Sequence, residues 1–185
     1  QGLCAELGQE AVTAVVNTGD DVELHGLHIS PDIDIVTYTL AGIVDEEKGW
    51  GLAGDSFNCL SMLHRYGRET WFRLGDMDIA THIHRTSLVR GGATLAEATD
   101  AISRALLVRA RLLPMSNQRV STRVVTEEGI LEFQDYFVRR GQEPVVKGVV
   151  FEGAGEAEPA PGVVESIMGA EGLVVCPSNP VVSIG

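Results

Sequence analysis

Three pairs of aspartates stand in short polar segments of the sequence: Asp20 with Asp21, Asp32 with Asp34, and Asp76 with Asp78. Neighbouring carboxylates cannot be buried together without a cation or hydrogen-bond donors. Hard oxygen ligands suit Mg²⁺, which takes one or two protein carboxylates and completes its shell with water and substrate phosphate. For any single pair, a simpler interpretation is an aspartate that complements the dipole at a helix start. Three pairs together favour metal-assisted phosphate chemistry.

Two polar loops follow apolar segments that are typical of strands. Asn17 and Gly19 follow the segment 11–16, and a second loop after residues 173–176 contains Ser178 and Asn179, with Ser183 further on. In open α/β sheets, ligands bind outside the carboxyl ends of strands. We therefore expect these five residues to face a ligand.

The segment 76–90 has a helical pattern that places Asp78, His82 and Arg85 on one face. Thr81 and Thr86 lower helix propensity there, which is consistent with a role in ligand binding. The simpler interpretation of His82 is a hydrogen-bonded, partly buried histidine. Zinc is not expected, because no two histidines have the helical i, i+4 spacing and no thiolates are near.

The three cysteines show no paired spacing and no recognisable histidine partner. We expect Cys4 and Cys59 in helix cores and Cys176 in a buried strand, without a catalytic role.

Strand and helix patterns alternate along the chain. Strands are predicted at 11–17, 109–113, 120–126, 130–133, 145–151 and 173–176. Helices are predicted before Gly8, after Ser30-Pro31, after an Asp55 cap, over 76–90, after a Thr94/Glu97 capping box, and through Val164. The order predicts a three-layer, Rossmann-like α/β fold, with a mainly parallel sheet, helices on both faces and a small β-hairpin annex.

Composition narrows the class of protein. The chain has 185 residues, with 26 acidic and 14 basic side chains and a net charge of −12. This balance argues against binding to nucleic acid or anionic membranes, both of which require basic surface. No apolar segment is long enough to span a membrane and no signal segment opens the chain, so we expect a cytoplasmic protein.

Two familiar motifs do not fit their contexts. Asp32-Ile33-Asp34-Ile35-Val36 matches the short aspartate motif of haloacid-dehalogenase-type phosphatases, but it opens a helix instead of ending a strand. The GxGxxG spacing of dinucleotide-binding dehydrogenases occurs at Gly49-Trp50-Gly51-Leu52-Ala53-Gly54, but charged residues precede it instead of the apolar strand that this motif requires.

An ordered set of motifs resembles the 2-phospho-L-lactate transferase family of coenzyme F-420 biosynthesis. The match runs from Val12 onward, through Asn17-Thr18-Gly19-Asp20-Asp21, Ser30-Pro31-Asp32-Ile33-Asp34, Leu74-Gly75-Asp76-Met77-Asp78, Ala80-Thr81-His82, Arg85-Thr86, Leu113-Pro114-Met115-Ser116 and Pro177-Ser178-Asn179-Pro180. The resemblance implies an Mg²⁺-dependent enzyme that moves a phospholactyl or phosphoenolpyruvyl group from a guanosine diphosphate adduct to the deazaflavin Fo, releasing GMP. The resemblance is also compatible with a homodimer.

The resemblance also implies roles for individual residues. Asp21, Asp32 and Asp34 would hold the metal, and Asp32 or Asp34 would activate the ribityl hydroxyl of Fo; spacing does not choose between these two. The nucleotide would contact Asn17, Gly19, Ser178, Asn179 and Ser183. The deazaflavin would contact Asp34, Asp76, Thr81, His82, Arg85 and Thr86.

The sequence departs from the family pattern in three places. Met77 stands where family members commonly have arginine, an opening strand with a glycine-rich phosphate loop is lacking, and the chain stops at Ser183-Ile184-Gly185. We therefore expect residues 1–185 to form one α/β domain truncated at both ends. An alternative is a non-catalytic regulator of the same superfamily, which would bind a nucleotide sugar and ignore Fo.

Overall fold

A computed structural model describes residues 2–176 of the chain. Its helices are α1 (Gly2–Leu7), α2 (Pro31–Ala41), α3 (Asn58–Arg65), α4 (Asp76–Arg90), α5 (Leu95–Ala105) and α6 (Val163–Met168). Its strands are β1 (Thr13–Val16), β2 (Val22–Leu24), β3 (Leu27–Ile29), β4 (Arg111–Pro114), β5 (Ser121–Thr126), β6 (Gly129–Glu132) and β7 (Val146–Glu152). A 3₁₀ turn (Gln9–Ala11) precedes β1, and a π-helical turn (Asp135–Arg139) follows β6.

Strands β1 and β4 form a parallel pair with helices on both faces. Leu112 packs with Val36 and Leu40 of α2, whereas Leu113 packs with Val163 of α6. Successive side chains of a strand point to opposite faces, so α2 and α6 lie on opposite sides of the pair. Helix α5 packs along β4. The predicted layered α/β fold is confirmed.

Local signals place the starts of α2 and α5 correctly. Helix α2 begins at Pro31 after Ser30, and α5 follows a complete capping box. In that box the Glu97 amide donates to Thr94 Oγ1 over 3.2 Å, and the Thr94 amide donates to Glu97 Oε2 over 2.7 Å. These contacts join residues close in sequence, which is why the sequence predicts them.

The predicted annex is a three-stranded antiparallel sheet in the order β6-β5-β7. Two hydrogen bonds attach it to the loop after β1. The Thr122 amide donates to the Gly19 carbonyl over 2.7 Å, and Gln134 Nε2 donates to the Asp20 carbonyl over 3.3 Å. The annex therefore fixes the backbone of the segment that carries the first aspartate pair.

A short hairpin, β2 with β3, was not predicted. Its two turn residues, His25 and Gly26, have positive φ angles of 55° and 77°, as a tight two-residue hairpin turn requires. Each strand has only three residues, so the alternation of apolar and polar side chains is too brief to stand out.

Several predictions about apolar segments are wrong. Residues 173–176 form no strand, and Leu173 and Val175 are about two-thirds exposed. An extended segment needs a partner for its backbone amides and carbonyls, and within residues 2–176 no strand pairs with this one. Cys59 and Cys176 are exposed, and Cys4 is half-buried.

Within residues 2–176, no helix combines the length and the apolar character that crossing a membrane would require.

Candidate active site

Asn17 organises the loop after β1. Its side-chain amide donates to Asp20 Oδ2 over 3.1 Å and to Asp32 Oδ2 over 2.9 Å. Its carbonyl oxygen accepts a hydrogen bond of 2.9 Å from the Gly19 amide. Asn17 therefore holds one carboxylate from the loop and one from the first turn of α2 together, at the carboxyl end of a parallel strand.

Gly19 allows this loop to approach the annex closely. A Cβ at this position would lie 2.9 Å from Thr122 Oγ1 and 3.1 Å from Asn17 Oδ1. Any side chain would push the loop away from β5, so the small residue serves packing between the two segments.

Asp21 accepts hydrogen bonds from one residue of the β2/β3 hairpin, which was not predicted, and from one residue just before α2. Its Oδ2 atom accepts from His28 Nε2 over 2.9 Å and from Ser30 Oγ over 2.7 Å. Ser30 therefore does not cap α2 with its side chain. The hairpin explains how His28, which the sequence did not single out, comes to the site.

We call Asp20, Asp21 and Asp32 the aspartate cluster. Burial raises the pKa of Asp20 to about 6, and the neighbouring charge of Asp32 adds to the effect. Burial also raises the pKa of Asp21 and of Asp32, although His28 and Asn17 donate hydrogen bonds to them. The carboxylates therefore lie where negative charge is costly.

The aspartate cluster has the chemistry of a divalent-cation site. Asp20 Oδ1 and Asp21 Oδ1 are buried and accept no hydrogen bond from the described residues. Hard oxygen atoms without donors are what Mg²⁺ requires, and one or two such carboxylates suffice when water completes the shell. Asp20 and Asp21 therefore offer oxygen atoms of the kind that the ion prefers, although Asp20, Asp21 and Asp32 do not bring three ligand atoms within 4.8 Å of one another.

A second group, which we call the buried network, joins α2 to α4. The Arg85 guanidinium binds both carboxylate oxygens of Asp34, one of them over 3.0 Å. His82 lies between Asp34 and Asp78, with nitrogen-to-oxygen distances of 3.6 and 3.3 Å, and the Tyr38 hydroxyl donates to Asp78 over 2.8 Å. All five residues are less than a tenth exposed. The shared face predicted for Asp78, His82 and Arg85 is confirmed.

The buried network is an internal ion-pair system. Asp34, Asp78 and His82 do bring ligand atoms within 4.8 Å of one another. However, a cation there would meet the Arg85 guanidinium, which already occupies Asp34. Both oxygens of Asp34, for which the sequence predicts metal binding and catalysis, are therefore bound by Arg85. Burial raises the pKa of Asp21, and the charge of Arg85 partly offsets this rise.

Asp76, the first residue of α4, caps the start of α3, and Asp55, which precedes α3, caps the start of α4. Asp76 accepts from Ser56 Oγ over 2.6 Å and from the Cys59 amide over 2.9 Å, at the start of α3. These bonds, first that from Ser56, lower the pKa of Asp76 to about 2. Asp55 in turn accepts from the Met77 amide over 2.9 Å, at the start of α4. The prediction that Asp55 caps the α3 helix is therefore wrong.

Two of the remaining predicted residues lie on α4, and three lie outside the part of the chain that the structure describes. Thr86 Oγ1 accepts from the His28 amide over 2.8 Å and so ties α4 to β3. Thr81 is half-buried. Ser178, Asn179 and Ser183 lie outside the described residues. The contact roles with deazaflavin and nucleotide stay predictions.

A cleft of about 150 Å³ opens beside Asp21. Its walls come from the loop after β1, the β2/β3 hairpin, the start of α5 and residues 117–120 after β4. It therefore lies at the carboxyl ends of the two parallel strands, where ligands of such folds bind.

Comparison with known proteins gives a consistent family. The family model of 2-phospho-L-lactate transferase CofD matches residues 1–185. A 2-phospho-L-lactate transferase of Methanopyrus kandleri is 45% identical over 94% of the chain and 56% of its own length. A phosphoenolpyruvate transferase of Kitasatospora aureofaciens is 42% identical over the whole chain and 60% of its own length. The chain thus spans less than two thirds of these relatives.

Solved structures support the fold alone. A crystal structure of a Bacillus halodurans protein aligns with the whole chain and 58% of its own, at a TM-score of 0.58 and 19% identity. A second crystal structure of that protein, described as a member of the UPF0052 family, gives a TM-score of 0.57 at 18% identity.

Proposed function

Because the chain belongs to the 2-phospho-L-lactate transferase family, we propose that its protein transfers a phospholactyl or phosphoenolpyruvyl group to the deazaflavin Fo. The donor is a guanosine diphosphate adduct, GMP is the leaving group, and the product enters coenzyme F-420 biosynthesis. The observation that carries the proposal is the aspartate cluster at the carboxyl end of β1, in a chain whose relatives are named transferases of these two groups.

Asp32 is the better candidate for the base. Asn17 holds its Oδ2 atom, and its Oδ1 atom accepts no hydrogen bond from the described residues. Burial raises its pKa, which is the direction that makes a carboxylate a stronger proton acceptor. Both oxygens of Asp34, in contrast, bind Arg85.

In the proposed reaction the ribityl hydroxyl oxygen forms a bond to the phosphorus that carries the acid group. The phosphorus–oxygen bond to GMP breaks, and Asp32 takes the hydroxyl proton. Asn17 keeps the Asp32 carboxylate in place, and His28 and Ser30 do the same for Asp21. Mg²⁺, held by Asp21 and Asp32 with Asp20 beside them, would neutralise charge on the diphosphate.

The activity is tested with the full-length protein, Fo, Mg²⁺ and a guanylated phospholactate or phosphoenolpyruvate. GMP should appear together with an Fo adduct of raised mass. If neither donor releases GMP, the transferase proposal fails. Binding of a UDP-sugar with no affinity for Fo would instead support the regulator.

Paired variants separate the two aspartates. Asp32→Asn should lower kcat by about 10²-fold or more, because general base catalysis typically contributes 10²–10⁴-fold, and should leave the fold intact. Asp34→Asn should mainly lower the free energy of unfolding, because it removes the charge that pairs with the buried Arg85. Wild-type kcat in Asp32→Asn would remove Asp32 from the mechanism.

A further inference from the structure

The cleft beside Asp21 is not used by any of the roles above. Its volume is about 150 Å³, the size of an apolar cavity that holds a six-carbon ring. Sites for drug-sized ligands are larger, roughly 300–1,000 Å³. A group of about six heavy atoms therefore fits this space.

One cationic side chain lines the cleft, that of Arg119. Arg119 is exposed, and its Nε atom donates to Ser121 Oγ over 3.3 Å, which orients the guanidinium group. Within residues 2–176 its two terminal nitrogens have neither an ion pair nor a hydrogen bond. A guanidinium oriented in this way can bind a carboxylate through two parallel hydrogen bonds.

The rest of the lining suits a small acid with an apolar carbon chain. Val22, Leu95 and Val120 provide apolar walls. Thr18, which also lines the cleft, is 3% exposed, and its hydroxyl has no partner among the described residues. A buried hydroxyl without a partner is costly, so a ligand oxygen here would be stabilising.

Asp21 belongs both to this lining and to the aspartate cluster. A phosphorus atom at the cluster would therefore have its substituent within reach of the cleft. Hydrogen bonds from His28 and Ser30 to Asp21 Oδ2 reduce its repulsion of an acid, and Glu23, also in the lining, is exposed to solvent.

We propose that this cleft binds the three-carbon acid part of the donor, lactyl or enolpyruvyl, and that Arg119 holds its carboxylate. The assignment rests on the proposed function and goes beyond it, because it names the residue that binds the acid group of the donor.

The test is calorimetric binding of phosphoenolpyruvate and, separately, of 2-phospho-L-lactate to the full-length protein in the absence of Fo. Arg119→Gln should weaken binding of these acids at least tenfold, while GMP affinity stays at the wild-type value. Arg119→Lys should give an intermediate loss, because an ammonium is a single point charge. Arg104→Gln is the matched control, since Arg104 makes an exposed ion pair with Asp100 on α5, away from the cleft lining.

A second variant tests the space and not the charge. Glu23 lines the cleft and is exposed, so Glu23→Trp fills space there without disturbing a core cluster and without removing a positive charge; it should abolish acid binding while GMP binding and the thermal midpoint are kept. In transfer assays, Arg119→Gln should raise the donor KM at least tenfold with the Fo KM unchanged.

Wild-type affinity for both acids in Arg119→Gln would overturn the inference, as would an equal loss of GMP binding, which would place the nucleotide in the cleft. Failure of the proposed function is a different result: no donor releases GMP, whatever residue stands at position 119.

Discussion

Replacing Arg85 by methionine removes the cation that neutralises Asp34 in the interior. Arg85 is fully buried and Asp34 is 4% exposed, so water cannot replace the lost partner. Breaking a buried ion pair from one side typically costs about 3–5 kcal/mol, because a charge is left uncompensated. For a denaturant dependence of about 2 kcal/mol per molar urea, the unfolding midpoint should fall by roughly 1.5–2.5 M.

The assay is equilibrium urea unfolding of wild type, Arg85→Met, Asp34→Leu and the double variant. The double variant should recover most of the loss, since apolar side chains of similar volume can replace a buried ion pair at little cost. Arg104→Met is the control for an exposed pair, where the side chains of Arg104 and Asp100 are 78% and 57% exposed. That change should cost only about 0.3–0.5 kcal/mol.

Two results would refute this reasoning. A loss below about 1 kcal/mol in Arg85→Met would put the pair in the range of surface ion pairs. A double variant no more stable than Arg85→Met would show that the uncompensated carboxylate is not the source of the loss.

Three further predictions concern single positions. Gly75→Ala should lower the thermal midpoint, because its Cβ would lie 2.0 Å from the Asp55 carboxylate that caps α4, whereas Gly155→Ala meets nothing within 4 Å and should have little effect. Thr94→Ala should cost about 1 kcal/mol by removing the α5 cap, and an unchanged urea midpoint would contradict this. Burial, helped by Asp32, raises the pKa of Asp20 to about 6 in the folded state. The native state therefore binds this proton more tightly than the unfolded state. In EDTA, the free energy of unfolding should fall by at most about 3 kcal/mol as the pH rises from about 4 to about 6. Asp20→Asn should flatten that fall, and a variant that retains it would exclude Asp20 as the cause.

Much of the helical framework could be predicted from the sequence. The starts of α2 and α5 and the length of α4 depend on caps, proline and periodicity within a few residues. The same local character explains the failures. Residues 173–176 are apolar enough for a strand, but a strand also needs a partner, which a local pattern does not supply.

The candidate site shows the same division. The sequence identified the aspartates and placed the Asn17 loop at a strand end, because residue type and an apolar strand are visible locally. Asp32 and Asp34 are two positions apart on one helix, so they cannot face the same side. Which side meets the loop and which meets Arg85 depends on how α4 packs against α2.

The sequence by itself therefore determined the family resemblance, the layered fold class and the set of polar residues able to do chemistry. Only the tertiary structure decided that Asn17 joins Asp20 to Asp32, that Asp34 is neutralised by Arg85, and that Asp55 and Asp76 cap each other's helices. Apart from the contact of Asn17 with Asp20, which lie in one loop, each of these contacts joins residues from different elements. Their partners are selected by packing and burial, which act across the whole fold.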